Sequence, residues 1–242
     1  MTTSGSALSD TAMVLAAGKG TRMRDLASER PKPLIKVKDT PLIDGVLDRV
    51  SAAGIRKVVV NVHHFAGMLR DHLVSRQEPE IAISDESDQL LDTGGGVARA
   101  LEHFDGRPFF VLNADVLWLD GRANTLSRLA QRWSDEEMDA LLLMCFTVNA
   151  IGYEGLGDFM MADDGRLSRR EEQCVAPFAY SGIQVLHPRL FDAVPGGVFS
   201  LNRLWDKAES EGRLFGLIHE GAWMHVGTPE GVSAAEDVLS SL

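Results

Sequence analysis

Short apolar runs alternate with segments of helical apolar spacing through the first half of the chain. The predicted strands are residues 13–17, 58–60, 81–84 and 109–112. Residues 41–53 form a predicted helix because Leu42, Val46 and Val50 fall on one face, and residues 66–75 form a second. This alternation is typical of an α/β, Rossmann-like fold with a mostly parallel central sheet flanked by helices, which binds ligands at the carboxyl ends of its strands.

The alternation weakens in the second half of the chain. A helix is predicted over 122–133 and a buried strand over 140–147. Further strands are predicted over 155–159 and 178–186, with hairpin-like turns such as that at 163–165 between them. Helices are predicted at 190–191, 201–212 and 230–239. We therefore expect one domain over residues 12–242, with a smaller β part in its second half, after a frayed tail of residues 1–11.

Composition and charge narrow the class of protein. The 242 residues are 45% hydrophobic, and the formal net charge of −11 argues against a nucleic-acid binder, which needs a basic face. The first residues lack the pattern of a secretion signal, and no apolar stretch is long enough to span a membrane. Cys145 and Cys174 form no C-x-x-C pair, so we expect reduced thiols in a cytoplasmic enzyme for small anions.

A glycine-rich segment follows the first predicted strand. Gly18 and Gly20 permit a tight turn whose N–H groups are free to bind phosphate, and Arg22 and Lys32 add positive charge. Met23 stands where a dinucleotide fingerprint requires glycine. The Gly-Lys pair at 18–19 also lacks the following hydroxyl of a P-loop. The segment therefore predicts a polyphosphate cradle of another kind.

Two further motifs follow predicted strands. Residues 91–97 contain three consecutive glycines and open a helix that we expect to run to about His103. Asn113, Ala114 and Asp115 follow the strand at 109–112, and a carboxylate at the end of a buried strand is a common way of holding a magnesium ion. The adjacent His63 and His64 are interpreted as structural, because neighbouring side chains point in different directions and no third ligand is near in sequence.

The segment 15–23, followed by Pro31-Lys32-Pro33-Leu34, resembles the signature of the sugar-1-phosphate nucleotidylyltransferases. The resemblance implies a nucleoside triphosphate and a sugar 1-phosphate as partners, with a nucleotide half over about 12–120 and a sugar half over about 121–242. Its implied nucleotide-binding residues are Leu15, Ala16, Ala17, Gly18, Gly20, Thr21, Arg22, Thr93 and Gly94. Candidates for binding the sugar or its phosphate are Asn113, Asp158 and Ser181.

The resemblance also implies a divalent metal. Asp115 matches the family's metal-binding aspartate, although Ala114 replaces the usual glycine before it. The segment 221–230 resembles the family's Trp-x-Asp-x-Gly-Thr-Pro, but His225 stands at the second metal-binding aspartate. Imidazole is a poorer ligand for Mg²⁺ than a carboxylate. The site therefore binds the ion through a water, binds Mn²⁺ more readily or relies on substrate phosphates, or else His225 contacts a phosphate and no metal.

The family reaction implies catalytic roles for Arg22, Lys32 and Asp115, with Arg22 on the departing pyrophosphate and Lys32 near the α-phosphate. Within the family, the segments 92–96 and 180–188 look most like the N-acetylmuramate-1-phosphate uridylyltransferases of bacterial cell-wall recycling. Mannose-1-phosphate guanylyltransferases and hexose-1-phosphate thymidylyltransferases are the alternatives. A catalytically inactive subunit that senses nucleotide sugars is another, and His225 favours it. Both a monomer and a homodimer stay open.

Overall fold

The computed structural model describes residues 8–192, 194 and 196–241. Residues 1–7 of the predicted tail lie outside the described residues. The tail prediction is wrong for residues 9–11, because Ser9 is buried and its N–H donates to the Pro108 carbonyl at 2.7 Å. Thr11 is already the first residue of a strand.

The described residues contain thirteen strands and six α-helices. The strands are β1 (Thr11–Leu15), β2 (Lys36–Val37), β3 (Thr40–Pro41), β4 (Lys57–Val62), β5 (Glu80–Asp85), β6 (Phe109–Asn113), β7 (Val116–Leu119), β8 (Ala140–Phe146), β9 (Phe159–Met161), β10 (Leu167–Arg169), β11 (Phe178–Leu186), β12 (Leu214–Ile218) and β13 (Ala222–His225). The helices are α1 (Leu42–Ala52), α2 (Ala66–Val74), α3 (Asp92–Arg99), α4 (Thr125–Arg132), α5 (Asn202–Ser210) and α6 (Pro229–Ser240). Short 3₁₀ helices include Thr21–Ala27 and Lys32–Leu34.

One nine-stranded sheet organises the domain. The strands of the first half lie in the order β5-β4-β1-β6 and are all parallel. Strand β11 is antiparallel to β6 and to β8, β12 is parallel to β8, and β9 and β10 extend from β11. The predicted α/β fold is confirmed, and the carboxyl ends of β1, β4 and β6 meet at one edge of the sheet.

The period-two geometry of strands divides the buried residues between two faces. On one face Val14 of β1 and Val60 of β4 pack in a cluster that includes Leu47 of α1. On the opposite face Met13 of β1 packs in a second cluster that includes Val97 of α3. Because both faces are covered, the central strands are apolar at almost every position, and this explains why short apolar runs marked them in the sequence.

The strand boundaries show where the sequence pattern failed. Residues 155–158 are not a strand, because Gly157 takes a left-handed conformation with φ +79° and the pairing of β9 begins only at Phe159. Strands β2, β3, β7, β10, β12 and β13 were not predicted. Strand β12 contains Gly216, whose lack of a side chain leaves room for Leu167 and Met144. In the part of the chain that the structure describes, no helix is both long and apolar enough to cross a membrane.

Candidate active site

A cleft of about 560 Å³ lies at the sheet edge where β1, β4 and β6 end. Its walls include most of the predicted site residues. These are Leu15, Ala16, Ala17, Gly18, Gly20, Thr21, Arg22, Lys32, Thr93, Asn113 and Asp115. The structure thus brings the glycine-rich segment, the second glycine motif and the residues that follow β6 around one space. Whether these residues bind a nucleotide stays a prediction.

The glycine-rich segment is held in shape by local contacts. Gly20 has φ +64°, a conformation that favours glycine, and a Cβ there would lie 3.0 Å from the Cβ of Lys32. The Met23 N–H donates to the Gly20 carbonyl at 2.9 Å, and the Met23 side chain is fully buried. Met23 therefore anchors the 3₁₀ helix Thr21–Ala27, while Gly20 allows the loop to lie against Lys32.

Lys32 and Asp115 form an ion pair at the floor of the cleft. The Lys32 ammonium donates a hydrogen bond to Asp115 Oδ2, and the side chains are 10% and 31% exposed. Lys32 is the first residue of the short 3₁₀ helix, between Pro31 and Pro33, and its side chain is almost fully buried. The pair places one positive and one negative charge where an incoming phosphate group or metal ion would meet them.

A second cavity of about 100 Å³ adjoins the cleft and shares Arg22, Asn113, Asp115 and Gly227 with it. Ser181 lines this cavity and is 3% exposed, and its hydroxyl has no hydrogen-bond partner among the described residues. The cavity thus offers an unused polar group beside Asp115. Ser181 and Asn113 thus line one space that adjoins the cleft.

A bulge in β11 shapes this cavity. The pairing of β11 with β8 shifts between Tyr180 and Gln184, and Gly182 within the bulge has φ +90°. A Cβ at Gly182 would lie 2.9 Å from Asn113 Nδ2. Glycine here lets β11 approach the end of β6 closely, so that Ser181 faces the same space as Asn113.

His225 reaches the second cavity from the two-stranded ribbon of β13 and β7. The register places His225 opposite Val116, the residue after Asp115. Burial lowers the pKa of His225, and the charges of Arg22 and Lys32 lower it further. The imidazole is therefore neutral at pH 7 and can accept a hydrogen bond or bind a metal. Its ring lies against Gly227, where a Cβ would be 2.4 Å from Nε2.

The donor set suits a metal that is shared with the substrates. Among the described residues, no group of three or more His, Cys, Asp or Glu side chains is arranged as a complete metal site. Asp115 offers one carboxylate and His225 one imidazole, and both line the second cavity. Mg²⁺ is commonly bound by one or two carboxylates, water and substrate phosphates, so these residues fit such an ion once phosphates are present.

Two predicted site residues line neither cavity. Gly94 is buried, its N–H donates to the Phe199 carbonyl at 2.9 Å, and a Cβ there would lie 2.4 Å from the Phe199 ring. Asp158 accepts a hydrogen bond from the Tyr180 N–H at 2.8 Å, which anchors the start of the bulged segment of β11. The structure thus gives both residues structural contacts, and their predicted contacts with substrate stay predictions.

Several lining residues were missed by the sequence analysis, including Asn61, Leu90, Asp92, Val198 and Gly227. Asn61 had a recognisable signal, since it is a polar residue in the apolar run of β4 and lies near the carboxyl end of that strand. Asp92 adopts φ +60°, which is uncommon for a residue other than glycine, and its carboxylate accepts the N–H of Thr93 at 2.6 Å.

The two cysteines lie outside both cavities. Neither Cys145 nor Cys174 lines the two cavities, and both are free thiols. Cys145 is buried, and burial raises the pKa of its thiol to about 12, so that it stays protonated at pH 7.

Comparison with known proteins finds similarity to an NTP transferase domain and to two uridylyltransferases. A family model described as a MobA-like NTP transferase domain matches residues 12–148. An N-acetylmuramate alpha-1-phosphate uridylyltransferase of Caulobacter vibrioides is 41% identical over 233 residues, which are 95% of this chain and 96% of that protein. Another, from Neisseria meningitidis serogroup B, is 35% identical over 90% of this chain and 93% of its own length.

A solved structure supports the fold. The inositol-1-phosphate CTP transferase from T. maritima aligns with a TM-score of 0.76 over 98% of this chain and 96% of its own. The sequence identity is 17%, so this likeness concerns the fold alone.

Proposed function

This chain belongs to the MobA-like NTP transferase family, a family of nucleotidyltransferases, and on that premise we propose that it transfers UMP from UTP to N-acetylmuramate 1-phosphate. The products are the UDP-sugar and pyrophosphate. The family resemblance of the sequence signature is confirmed, as is the predicted class of enzyme. The choice of these two substrates rests on the relatives of 41% and 35% identity.

The observation that carries the proposal is the position of the ion pair between Lys32 and Asp115. Asp115 lines both the cleft and the second cavity, and Lys32 lines the cleft beside it. Two phosphorylated substrates, one in each space, would bring their phosphate groups together at this pair. A transfer between two phosphates needs charge neutralisation at that meeting point, which a lysine and a metal-binding carboxylate supply.

In the proposed reaction a phosphate oxygen of the sugar 1-phosphate attacks the α-phosphorus of UTP. The new oxygen–phosphorus bond forms as the bond to the β-phosphate oxygen breaks, and pyrophosphate leaves with that electron pair. The attacking phosphate is already an anion, so no residue has to remove a proton from it. Lys32 neutralises charge at the α-phosphate, and Arg22 binds the departing pyrophosphate.

A divalent metal fits this scheme at Asp115. Mg²⁺ or Mn²⁺ would be held by the Asp115 carboxylate, by phosphate oxygens and water, and by His225 if the imidazole takes part. When bound, the ion neutralises negative charge on the phosphates. An acidic protein with a net charge of −11 benefits from such an ion in gathering two anionic substrates.

A second hypothesis is a nucleotide-sugar-sensing subunit without turnover. The observation that favours it is His225, which stands where the family pattern has a metal-binding aspartate. The intact glycine loop, Arg22, Lys32 and Asp115 favour an active enzyme.

The proposed substrate is a cell-wall amino sugar, so we assign the active enzyme to cell-wall recycling in the cytoplasm.

The test is pyrophosphate release from each of UTP, GTP, dTTP, CTP and ATP, combined in turn with N-acetylmuramate, N-acetylglucosamine, glucose and mannose 1-phosphates. Every combination is measured in Mg²⁺ and again in Mn²⁺. We expect release from UTP with N-acetylmuramate 1-phosphate. Preference for GTP with mannose 1-phosphate would replace these substrates, and binding of nucleotide sugars without any release would support the sensing subunit.

A further inference from the structure

A buried hydrogen-bonded network connects the two loops that line the nucleotide side of the cleft. We call residues 15–22 the phosphate loop and residues 90–93 the nucleoside loop. Asn61 Oδ1 accepts the N–H of Ala16 at 2.7 Å, and Asn61 Nδ2 donates to Glu86 Oε1 at 2.7 Å. Glu86 Oε2 accepts the N–H of Leu91 at 3.0 Å. Three hydrogen bonds thus lead from one loop to the other through two side chains.

The donors and acceptors of this network allow a single arrangement. A backbone N–H can only donate and a carboxylate can only accept, so the Asn61 amide must turn its oxygen to Ala16 and its nitrogen to Glu86. Asn61 is 3% exposed and Glu86 is 0% exposed. A misplaced partner would leave a buried polar group unsatisfied, which is costly, and the network therefore holds both loops in one relative position.

The surroundings of Glu86 provide an N–H donor for each of its two side-chain oxygens. No salt bridge reaches Glu86 within the described part of the chain, and its carboxylate lies instead at the N-terminus of α3, whose dipole favours an anion. Gly96 of α3 leaves room for it, since a Cβ there would lie 2.7 Å from Glu86 Oε1 and 2.8 Å from Asn61 Nδ2.

We propose that Glu86 is a positioning residue that couples the phosphate loop to the nucleoside loop through Asn61, so that filling one loop strengthens binding at the other. The inference rests on the proposed function, because it assigns triphosphate and nucleoside to these two loops. Glu86 does not line the cleft. Ala16, Asp92 and Thr93 do line the cleft. Glu86 acts through its network to Ala16 and through the backbone that precedes Asp92 and Thr93.

The test uses the two halves of the nucleotide as separate probes. Binding of uridine to the whole protein is measured by calorimetry with and without saturating tripolyphosphate. The expected result for the unaltered protein is that tripolyphosphate tightens uridine binding about tenfold, a coupling of ordinary size between two sites. In Glu86→Gln, tripolyphosphate should change the affinity for uridine by no more than about twofold. The reason is that a glutamine side chain has one acceptor oxygen for the two N–H groups that Glu86 binds.

A double variant provides the rescue. In Asn61→Asp combined with Glu86→Gln, the new carboxylate at position 61 accepts from the Ala16 N–H and from the new amide at position 86. The oxygen of that amide accepts from the Leu91 N–H. Every donor keeps an acceptor and the total charge is unchanged, so most of the coupling should return. Asn61→Asp alone brings two carboxylates together and should abolish the coupling.

A control separates positioning from general destabilisation. Asp139 is another buried carboxylate, paired with Arg189 and Arg213 before β8, at the opposite edge of the sheet. Asp139→Asn should lower the melting temperature and leave the coupling factor unchanged. Equal coupling in Glu86→Gln and the unaltered protein, or a factor of one in the unaltered protein, would overturn the inference alone. Failure of the unaltered protein to bind either probe would overturn the proposed function as well.

Discussion

The Lys32 ammonium donates a hydrogen bond to the carboxylate of Asp115 across 83 residues of sequence. Lys32 follows the phosphate loop and Asp115 follows β6, the strand that pairs with β1 on one side and β11 on the other. The contact joins the cleft to the second cavity. Each side chain holds the other in place, and the ammonium offsets a carboxylate that would repel incoming phosphates.

Replacing Lys32 by Met should lower turnover by about a hundredfold to a thousandfold, the usual loss for one preorganised charge that stabilises a transition state. Asp115→Asn should cause a comparable loss because it weakens the proposed metal site. Steady-state pyrophosphate release and the circular dichroism spectrum are the measurements. Turnover within about threefold of the unaltered protein, in a folded variant, would exclude the assigned role.

Metal preference should respond to the side chain at position 225. His225→Asp supplies the carboxylate of the family pattern, and a hard ligand favours Mg²⁺. We expect the ratio of kcat/KM in Mg²⁺ to that in Mn²⁺ to rise about tenfold. His225→Asn, which adds an oxygen but no charge, is the matched control. If both variants change kcat/KM equally in the two metals, His225 contacts a phosphate and no metal.

Ser181 offers a cleaner probe of the second cavity, because its hydroxyl has no hydrogen-bond partner to lose among the described residues. Ser181→Ala should change the free energy of unfolding by less than about 0.5 kcal/mol. The loss of one hydrogen bond to the sugar substrate should raise the KM for the sugar 1-phosphate about three- to tenfold. The KM for the nucleotide serves as the internal control. If Ser181→Ala changed the free energy of unfolding but left the KM for the sugar 1-phosphate equal to that of the unaltered protein, Ser181 would have a structural role only.

Acid should destabilise the fold through one buried and two half-buried histidines. Burial lowers the pKa of His187, His219 and His225 from the ordinary value of 6.5. Below pH 6.5 the unfolded chain binds protons that the folded chain excludes. The contribution of these histidines to the free energy of unfolding is therefore fully present above pH 6.5. It is lost as the pH drops below 6.5 and through their lowered pKa values in the folded protein.

His219→Gln should remove the part of this pH dependence of stability that His219 contributes, because an amide does not titrate. Melting temperatures between about pH 7.5 and pH 5.5 would show a shallower decline than in the unaltered protein, with each kcal/mol appearing as about 2–4 °C. The same change at half-exposed His103 is the control. A decline as steep in His219→Gln as in the unaltered protein would contradict this assignment.

Contiguous features of this fold could be read from sequence alone. The strands β1, β4 and β6 are short runs buried on both faces, and such runs stand out from their surroundings. The phosphate loop was predictable because the residues that shape it, from Gly18 to Met23, are neighbours in the chain. The enzyme family followed from this same short segment.

Features that depend on distant partners could not be read in this way. Glu86 resembles any other acidic residue of a polar loop until the fold places Asn61 and Leu91 against it. Asp158 is a candidate for binding the sugar, and the structure adds a contact that the sequence did not predict, since its carboxylate accepts the backbone N–H of Tyr180. A single sequence contains no signal that separates these two uses of an aspartate.

The ribbon of β7 and β13 has a consequence for the making of the protein. The phosphate loop and Asp115 leave the ribosome before β13 does, because β1 and β6, the strands that they follow, precede β13 in the chain. His225 and Gly227 complete the second cavity only after β13 pairs with β7. Val198 and Gly227 also line the cleft, so a growing polypeptide completes both spaces only after residue 227 has been made.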